Sequence, residues 1–427
     1  MSFVKNFVTY CGCYEIPINY SIWTATGLLG AALNRRIFFR RGDLIHHGNM
    51  YISLVGAPGN KKSTCNDWAR DWFRDCYPEI PISSSVQSRE QIVEFMASPD
   101  CCRPYTDHEN TRVDCSPFMM FINEFENFLS YNPAGMASFL CDIYDRHKFF
   151  DSGTIKRGLE NITNPAVNII ACCPPSWLVN MLRGHILTAG ICRRMVFVYE
   201  ESAKDSTGHL IKKAIPVITP EAHEAKKSCL TQLKELSLFA REYQWSPDGR
   251  HEFISWYDDH KERSIKEADP FLQGFKSSLD VLLLKTAMLL DAGSSKPMCL
   301  ITPDLIEMAL AQLEVVMPNM MKLSVSAGRN PLIGPQLDLL EYINKDGDGI
   351  MLEKKVRAHD KDLSGFEMDN TLRHLKESGR LFEVKDDKPI PGSNPPVYRR
   401  YLATEQGLAK FKKNGIITDR KPAPPSV

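Results

Sequence analysis

Residues 56–64 of this chain read GAPGNKKST and follow the apolar run Tyr51 to Val55. A buried strand, a glycine-containing loop and a lysine–hydroxyl helix start are the parts of a phosphate-binding loop. In such a loop, backbone N–H groups and the positive end of a helix face phosphate oxygens. Against the template G-x-x-x-x-G-K-[ST], Gly56 takes the first position, Lys62 the lysine and Ser63 the magnesium-binding hydroxyl. Lys61 stands where the second glycine belongs, so the literal pattern fails at one position. The expected contacts to ATP are Gly56, Pro58, Gly59, Asn60, Lys61, Lys62, Ser63 and Thr64. The other reading of the stretch is an ordinary surface turn.

A second apolar run, Phe118 to Ile122, ends in Asn123-Glu124. ATP hydrolysis at such a strand end uses one acid for the Mg2+ shell and a second to orient the attacking water. Glu124 suits the second role. Asn123 stands where an aspartate is usual; it can hydrogen-bond a magnesium-bound water but brings no charge, and Glu126 is the nearest substitute. A third run, Ala166 to Cys173, ends without a strong polar sensor. Arg193 and Arg194 directly precede a fourth, Met195 to Tyr199. In a ring, an arginine there reaches the γ-phosphate held by the neighbouring subunit. The alternative is an arginine pair that ties a helix end to nearby carboxylates.

The elements that must position these residues follow from periodicity and turn chemistry. Residues 14–40 hold an apolar helix, and Arg35, Arg36, Arg40 and Arg41 then flank a hairpin turning at Gly42-Asp43. That cluster reads as nucleotide or DNA contact or, the favoured alternative, as a solvated helix end. Ser88 and Gln91 form a capping box. A second hairpin runs through His147–Phe150, turns at Asp151-Ser152-Gly153 and returns through Thr154–Arg157. Its Lys148, Lys156 and Arg157 suit phosphates and its Phe149 or Phe150 suits base stacking, as in the pore of a DNA-tracking ring. A surface hairpin with both aromatics packed under it fits equally. From Thr219 to about Ala327 the pattern is helical, with Lys285 expected to snorkel to solvent.

The expected divisions are an N-terminal helical segment (1–45), an ATPase core (46–205), a helical lid (217–328), a winged helix (331–415) and a disordered proline-rich tail (416–427). The winged-helix expectation rests on three helices and two strands around KPIPGSNPP. From Pro331 to Val427 there are 17 Lys+Arg against 15 Asp+Glu, so protein docking competes with duplex DNA as its partner. For DNA, the candidates are Arg373, His374 and Lys376 on a helix with Lys388, Arg399 and Arg400 on the wing. NKDGDG (344–349) imitates an EF-hand, but Lys355 occupies the position that needs a bidentate glutamate.

Over the whole chain Lys+Arg and Asp+Glu both total 52, which leaves any DNA contact to local patches. The longest uncharged apolar run is too short for a membrane span. Thirteen cysteines without C-x2-C repeats read as reduced core thiols of a cytoplasmic protein, or of the host compartment where a mobile element replicates.

Taken in order, YEIPINYSIWTATGLLGAALNRRIF, LVGAPGNKKST, FINEFENFL, NIIACCPPSWL and GICRRMVFVYE resemble the P-loop ATPase domains of phage- and plasmid-borne replication proteins of the primase-associated helicase type. The resemblance implies an α/β P-loop NTPase core with an AAA+/RecA-like parallel sheet, a helical lid and a C-terminal winged helix. It implies a ring, expected to be a hexamer, that hydrolyses ATP with Mg2+ and unwinds or translocates DNA beside a primase or polymerase. The alternative is an ATP-gated initiator, helicase loader or regulator that does not translocate.

Overall fold

The computed structural model describes residues 2–408 except 84–86, 130–131, 145–147, 155–157, 184–188, 205–206, 268–269, 319, 322–332, 360–364, 378–379, 390–397 and 405–406. The chain divides into two compact units, Met1–Ala327 and Gly328–Val427.

The first unit opens with α1 (Phe3–Cys11) and α2 (Ile18–Leu33). The hairpin of β1 (Ile37–Arg41) and β2 (Leu44–His47) turns at Gly42, whose φ of 62° favours glycine. Next come β3 (Tyr51–Val55), α3 (Lys62–Cys76) and α4 (Arg89–Ala97), the last started by the Ser88/Gln91 capping box. A short ladder, β4 (Tyr105–Thr106) with β5 (Arg112–Val113), precedes β6 (Ser116–Ile122), α5 (Phe125–Leu129) and α6 (Pro133–Tyr144). The second hairpin, β7 (Phe149–Thr154) with β8 (Gly158–Thr163), leads into β9 (Pro165–Cys173). Then follow α7 (Pro175–Arg183), α8 (Ala189–Cys192), β10 (Met195–Tyr199) and α9 (Pro220–Leu236). The unit continues with β11 (Arg241–Trp245), α10 (Pro247–Ile265), α11 (Pro270–Lys276), α12 (Leu279–Ala292), β12 (Leu300–Ile301) and α13 (Pro303–Glu314).

The central sheet has the order β10-β3-β9-β6, all parallel. β3, β6 and β9 are buried at every position, as unbroken apolar runs require when both sheet faces are covered. Alternation along β3 assigns the covers. Ile52, with Ile170 beside it, packs against Gly27 of α2, whereas the Tyr51 hydroxyl reaches the Leu140 carbonyl of α6 at 3.1 Å. A Cβ at Gly27 would lie 2.9 Å from Ile170, so glycine there lets the helix settle on the sheet. The connection from β3 passes over β9 to reach β6, and the one from β9 passes back over β3 to reach β10. Connections leaving in opposite directions open a crevice between β3 and β9 at their carboxyl ends, the usual ligand position in such sheets.

Three sequence expectations change. The hairpin strands pair out to Thr154↔Gly158, so Asp151–Gly153 lie in the ladder rather than in the turn. Asn161 Nδ2 donates to Asp151 Oδ1 across it at 2.6 Å, a polar cross-strand pair that extends the strands. Region 217–328 is not wholly helical: β11 joins a second sheet of order β12-β11-β1-β2, parallel to β1. Its one buried residue, Tyr243, donates to Asp291 Oδ2 at 2.9 Å. Lys285 does not snorkel. It is 3% exposed, donates to Asn49 O and Oδ1 at 3.1 and 2.8 Å, and lies 3.8 Å over the Tyr144 ring.

The thirteen cysteines are free thiols, most of them buried. Among the described residues no helix is long and apolar enough to cross a membrane.

The second unit has α14 (Ile333–Asp346), β13 (Ile350–Leu352), α15 (Glu353–Arg357), α16 (Gly365–Glu377), β14 (Phe382–Pro389) and β15 (Tyr398–Ala403). Its antiparallel sheet runs β13-β15-β14 over a core that includes Leu339, Ile343, Leu375 and Leu402. The NKDGDG stretch ends α14: Asp348 and Gly349 take φ of 50° and 89°, and Thr404 donates to Asn344 Oδ1 at 2.6 Å.

Candidate functional site

The carboxyl end of β3 runs into loop 56–61, and α3 begins at Lys62. The Gly56 amide donates to the Cys173 carbonyl at 3.3 Å, which holds the loop's first residue at the crevice between β3 and β9. No side chain fits at Gly56: a Cβ would overlap the Tyr20 hydroxyl and approach Asn60 Nδ2 and Glu200 O to 2.8 and 2.9 Å. Gly59 has φ 85°, and Lys61, at the position of the template's second glycine, has φ 57°. Lys61 therefore holds a left-handed backbone conformation that favours glycine, although it is not glycine. Lys62 Nζ folds back to the carbonyls of Gly56 and Ala57 at 2.6 and 2.9 Å. Burial holds its ammonium below the usual lysine range, with Cys172, Cys173 and Glu124 acting the other way. Pro58, Gly59, Lys61 and Ser63 are exposed, Asn60 and Thr64 half-buried.

Asn123 and Glu124 follow β6 at the same sheet edge. Glu124 is exposed, and Glu126, in the first turn of α5, is also exposed. Asn123 is tied to α3: Asn66 Nδ2 donates to its Oδ1 at 2.9 Å, and its Nδ2 donates to Asp67 Oδ1 at 2.7 Å. Burial pushes the thiols at the end of β9 up, Cys173 to about 12, so they stay protonated and neutral at the crevice. Ser63, Asn123 and Asp67 together offer hard oxygen donors of the type Mg2+ takes. The carbonyl oxygen of Asn66 is buried without a partner beside them. Among the described residues no cluster of three or more His, Cys, Asp or Glu is placed to hold a metal ion. A nucleotide-bound Mg2+ needs none, since phosphates and waters complete its shell.

The other predicted residues lie elsewhere. Arg193 and Arg194 precede β10 at the amino edge, the far side of the sheet from loop 56–61. Arg193 Nε donates to Ser278 Oγ at 3.1 Å and Arg194 Nη1 to the Gly190 carbonyl at 2.8 Å. Lys148 and Phe149 are exposed at the root of the second hairpin, while Phe150 packs edge-on against Phe139. Lys156 and Arg157 lie outside the described residues. In the second unit Arg373 is exposed and hydrogen-bonded to Asn370, and Lys376 pairs with Glu383 at 3.0 Å. Arg400 approaches the same carboxylate at 3.9 Å; the Arg399 side chain lies outside the described residues. Of the arginine cluster after α2, Arg35 is buried, Arg36 and Arg41 are half-buried and Arg40 is exposed, and all four have partners. Arg35 reaches Pro165 O, Arg36 Ala32 O, Arg40 Glu242 and Arg41 Asp280.

Sequence reasoning missed Tyr20, Glu200 and Asp67. Tyr20 donates to the Val55 carbonyl at 2.6 Å, and Asn60 Nδ2 reaches Glu200 O at 2.7 Å, so α2 and the end of β10 brace the loop. Asp67 was missed despite a visible signal: it follows Ser63 by four residues and so shares its helix face. No family model matches the chain, and no curated protein matches it.

Proposed function

We propose that this chain is a magnesium-dependent P-loop ATPase with an AAA+/RecA-like core, a helical lid and a winged helix, working as a ring on DNA. The observation that carries the reading is the loop backbone. Lys61 holds a left-handed conformation that costs a side-chain-bearing residue about 1–2 kcal/mol. Strain of this kind persists where a site requires it. It turns the chain so that the next residue, Lys62, starts α3 with the helix N-terminus aimed at the crevice.

Each residue then has a task. Lys62 exchanges its carbonyl partners, Gly56 and Ala57, for phosphate oxygens. Ser63 and Thr64 offer hydroxyls and Asn123 an amide oxygen to the magnesium shell. Bound Mg2+ would supply charge neutralisation on the phosphate oxygens. Glu124, exposed at the strand end, orients a water for in-line attack and accepts its proton. Arg193 and Arg194 are too remote to serve their own subunit's loop, since a five-residue strand spans roughly 16 Å. They serve a neighbouring subunit in a ring, expected to be a hexamer.

DNA as the polymer is supported by the exposed Lys148–Phe149 pair, suited to a single strand in a pore, and by Arg373 on α16, suited to duplex. The second reading is an initiator, loader or regulator that binds ATP without translocating. It draws on the neutral Asn123 and on Glu383, which occupies Lys376 and faces Arg400. Either assembly would work beside a primase or polymerase.

The test is ATP hydrolysis with magnesium, with and without single-stranded DNA, on wild type and Glu124→Gln. DNA-stimulated turnover in wild type, falling about 100-fold or more in the variant, is the expected outcome. Binding without turnover in wild type would overturn the motor and leave the switch.

A further inference from the structure

The magnesium shell of the proposed site lacks a charge, because Asn123 is neutral where hydrolysis at a strand end draws on a carboxylate. The missing charge is present on the neighbouring helix. Asp67 lies four residues beyond Ser63 and three beyond Thr64, on the same face of α3 as the two hydroxyls. It accepts from Asn123 Nδ2 at 2.7 Å, and Asn123 Oδ1 accepts from Asn66 at 2.9 Å. A carboxylate only accepts, so Asp67 dictates which way the Asn123 amide turns.

Two observations mark this network as incomplete in the free protein. Asn66 is 1% exposed, its amide is directed at Asn123, and its carbonyl oxygen has no partner. Asp67 pairs with no lysine, arginine or histidine among the described residues, although it is only half-buried at the crevice. It also lies near enough to the end of β9 that its charge adds to the burial holding Cys172 protonated. Glu126, the substitute suggested by the sequence, makes no hydrogen bond to Asn123.

We propose that Asp67 is a positioning residue that supplies, through Asn123 and the waters it orients, the negative charge absent from the end of β6. The carboxylate of the magnesium shell has moved from the strand to the helix that carries the hydroxyls. This deepens the nucleotide-site reading and rests on it.

The experiment measures binding of a fluorescent ATP analogue to the full chain as MgCl2 is titrated, without reference to turnover. Asp67→Asn should raise the half-saturating magnesium concentration about ten-fold or more, within the range typical of residues behind a metal ligand. Affinity measured in EDTA should not change. Asp67→Asn combined with Asn123→Asp should return the magnesium requirement towards wild type, because the charge is restored on the strand. Asp67→Glu, which keeps the charge, should shift it less than Asp67→Asn. A magnesium curve for Asp67→Asn that overlays wild type, or no rescue in the double variant, overturns the role of Asp67. Failure of wild type itself to bind the analogue, or binding indifferent to magnesium, overturns the nucleotide-site reading instead.

Discussion

The two edges of the parallel sheet treat their cations in opposite ways. At the amino edge three cations make contacts within the fold. Arg36 donates to the Ala32 carbonyl in the last turn of α2, Arg194 to Gly190 of α8, and Lys285 to Asn49 just before β3. Two of these meet helix C-terminal carbonyls, which carry the negative end of the dipole and welcome a cation. At the carboxyl edge Lys62 is held by the carbonyls of Gly56 and Ala57 in the preceding loop, near an exposed Glu124. Helices that follow parallel strands begin at that edge, so their positive ends gather there and leave room for an anion. The amino edge holds these three cations by contacts within the fold, whereas the carboxyl edge is where the proposed nucleotide would sit.

The largest effect that separates the edges is on turnover. Lys62→Ala should lower ATP hydrolysis at least about 100-fold and weaken nucleotide binding, since charge and positioning carry this chemistry. Arg193→Ala should lower turnover about as much yet leave nucleotide affinity unchanged. Mixing it with Glu124→Gln should recover activity that neither variant shows alone, if Arg193 acts across a subunit boundary. Titrating one variant into the other checks this, and a flat response would return Arg193 to the structural side of the comparison.

Lys285→Met should act on stability and not on the site. Losing the ammonium leaves Asn49 Oδ1 unsatisfied and removes the contact with Tyr144, for a cost of about 1–3 kcal/mol. Denaturant unfolding would read the loss, and nucleotide affinity should stay within about two-fold of wild type. A large change in affinity would mean that the buried cation acts across the sheet to the other edge.

The smallest effect belongs to Lys61→Gly. Removing the side chain from a left-handed position should stabilise the free protein by about 1 kcal/mol, visible as a higher melting temperature. Nucleotide affinity should be retained, because the loop already follows the glycine path. Loss of affinity would give the Lys61 side chain a part in binding.

Much of the architecture was legible in local pattern. The buried strands at 51–55, 116–122 and 165–173, the capping box at Ser88 and the elements of the second unit all follow from apolar runs, caps and turn residues. The second hairpin was legible as a pair of strands but misplaced in register, because the polar Asp151–Gly153 imitates a turn that the Asn161 bond overrides. The loop's departure from its template was visible in the sequence, and the left-handed backbone that Lys61 adopts was not.

By itself, then, the sequence determined most of the strands and helices around the candidate loop and which residue types stand there, because propensity, capping and periodicity act over a few neighbouring residues. Only the tertiary structure placed β9 between the loop strand and the acidic strand, or paired β11 with β1 across some two hundred residues. It alone buried Lys285 against Tyr144 and brought Asp67 to Asn123. Those outcomes depend on which distant surfaces bury each other and on which polar groups must then find partners. That accounting closes only when the whole unit has packed.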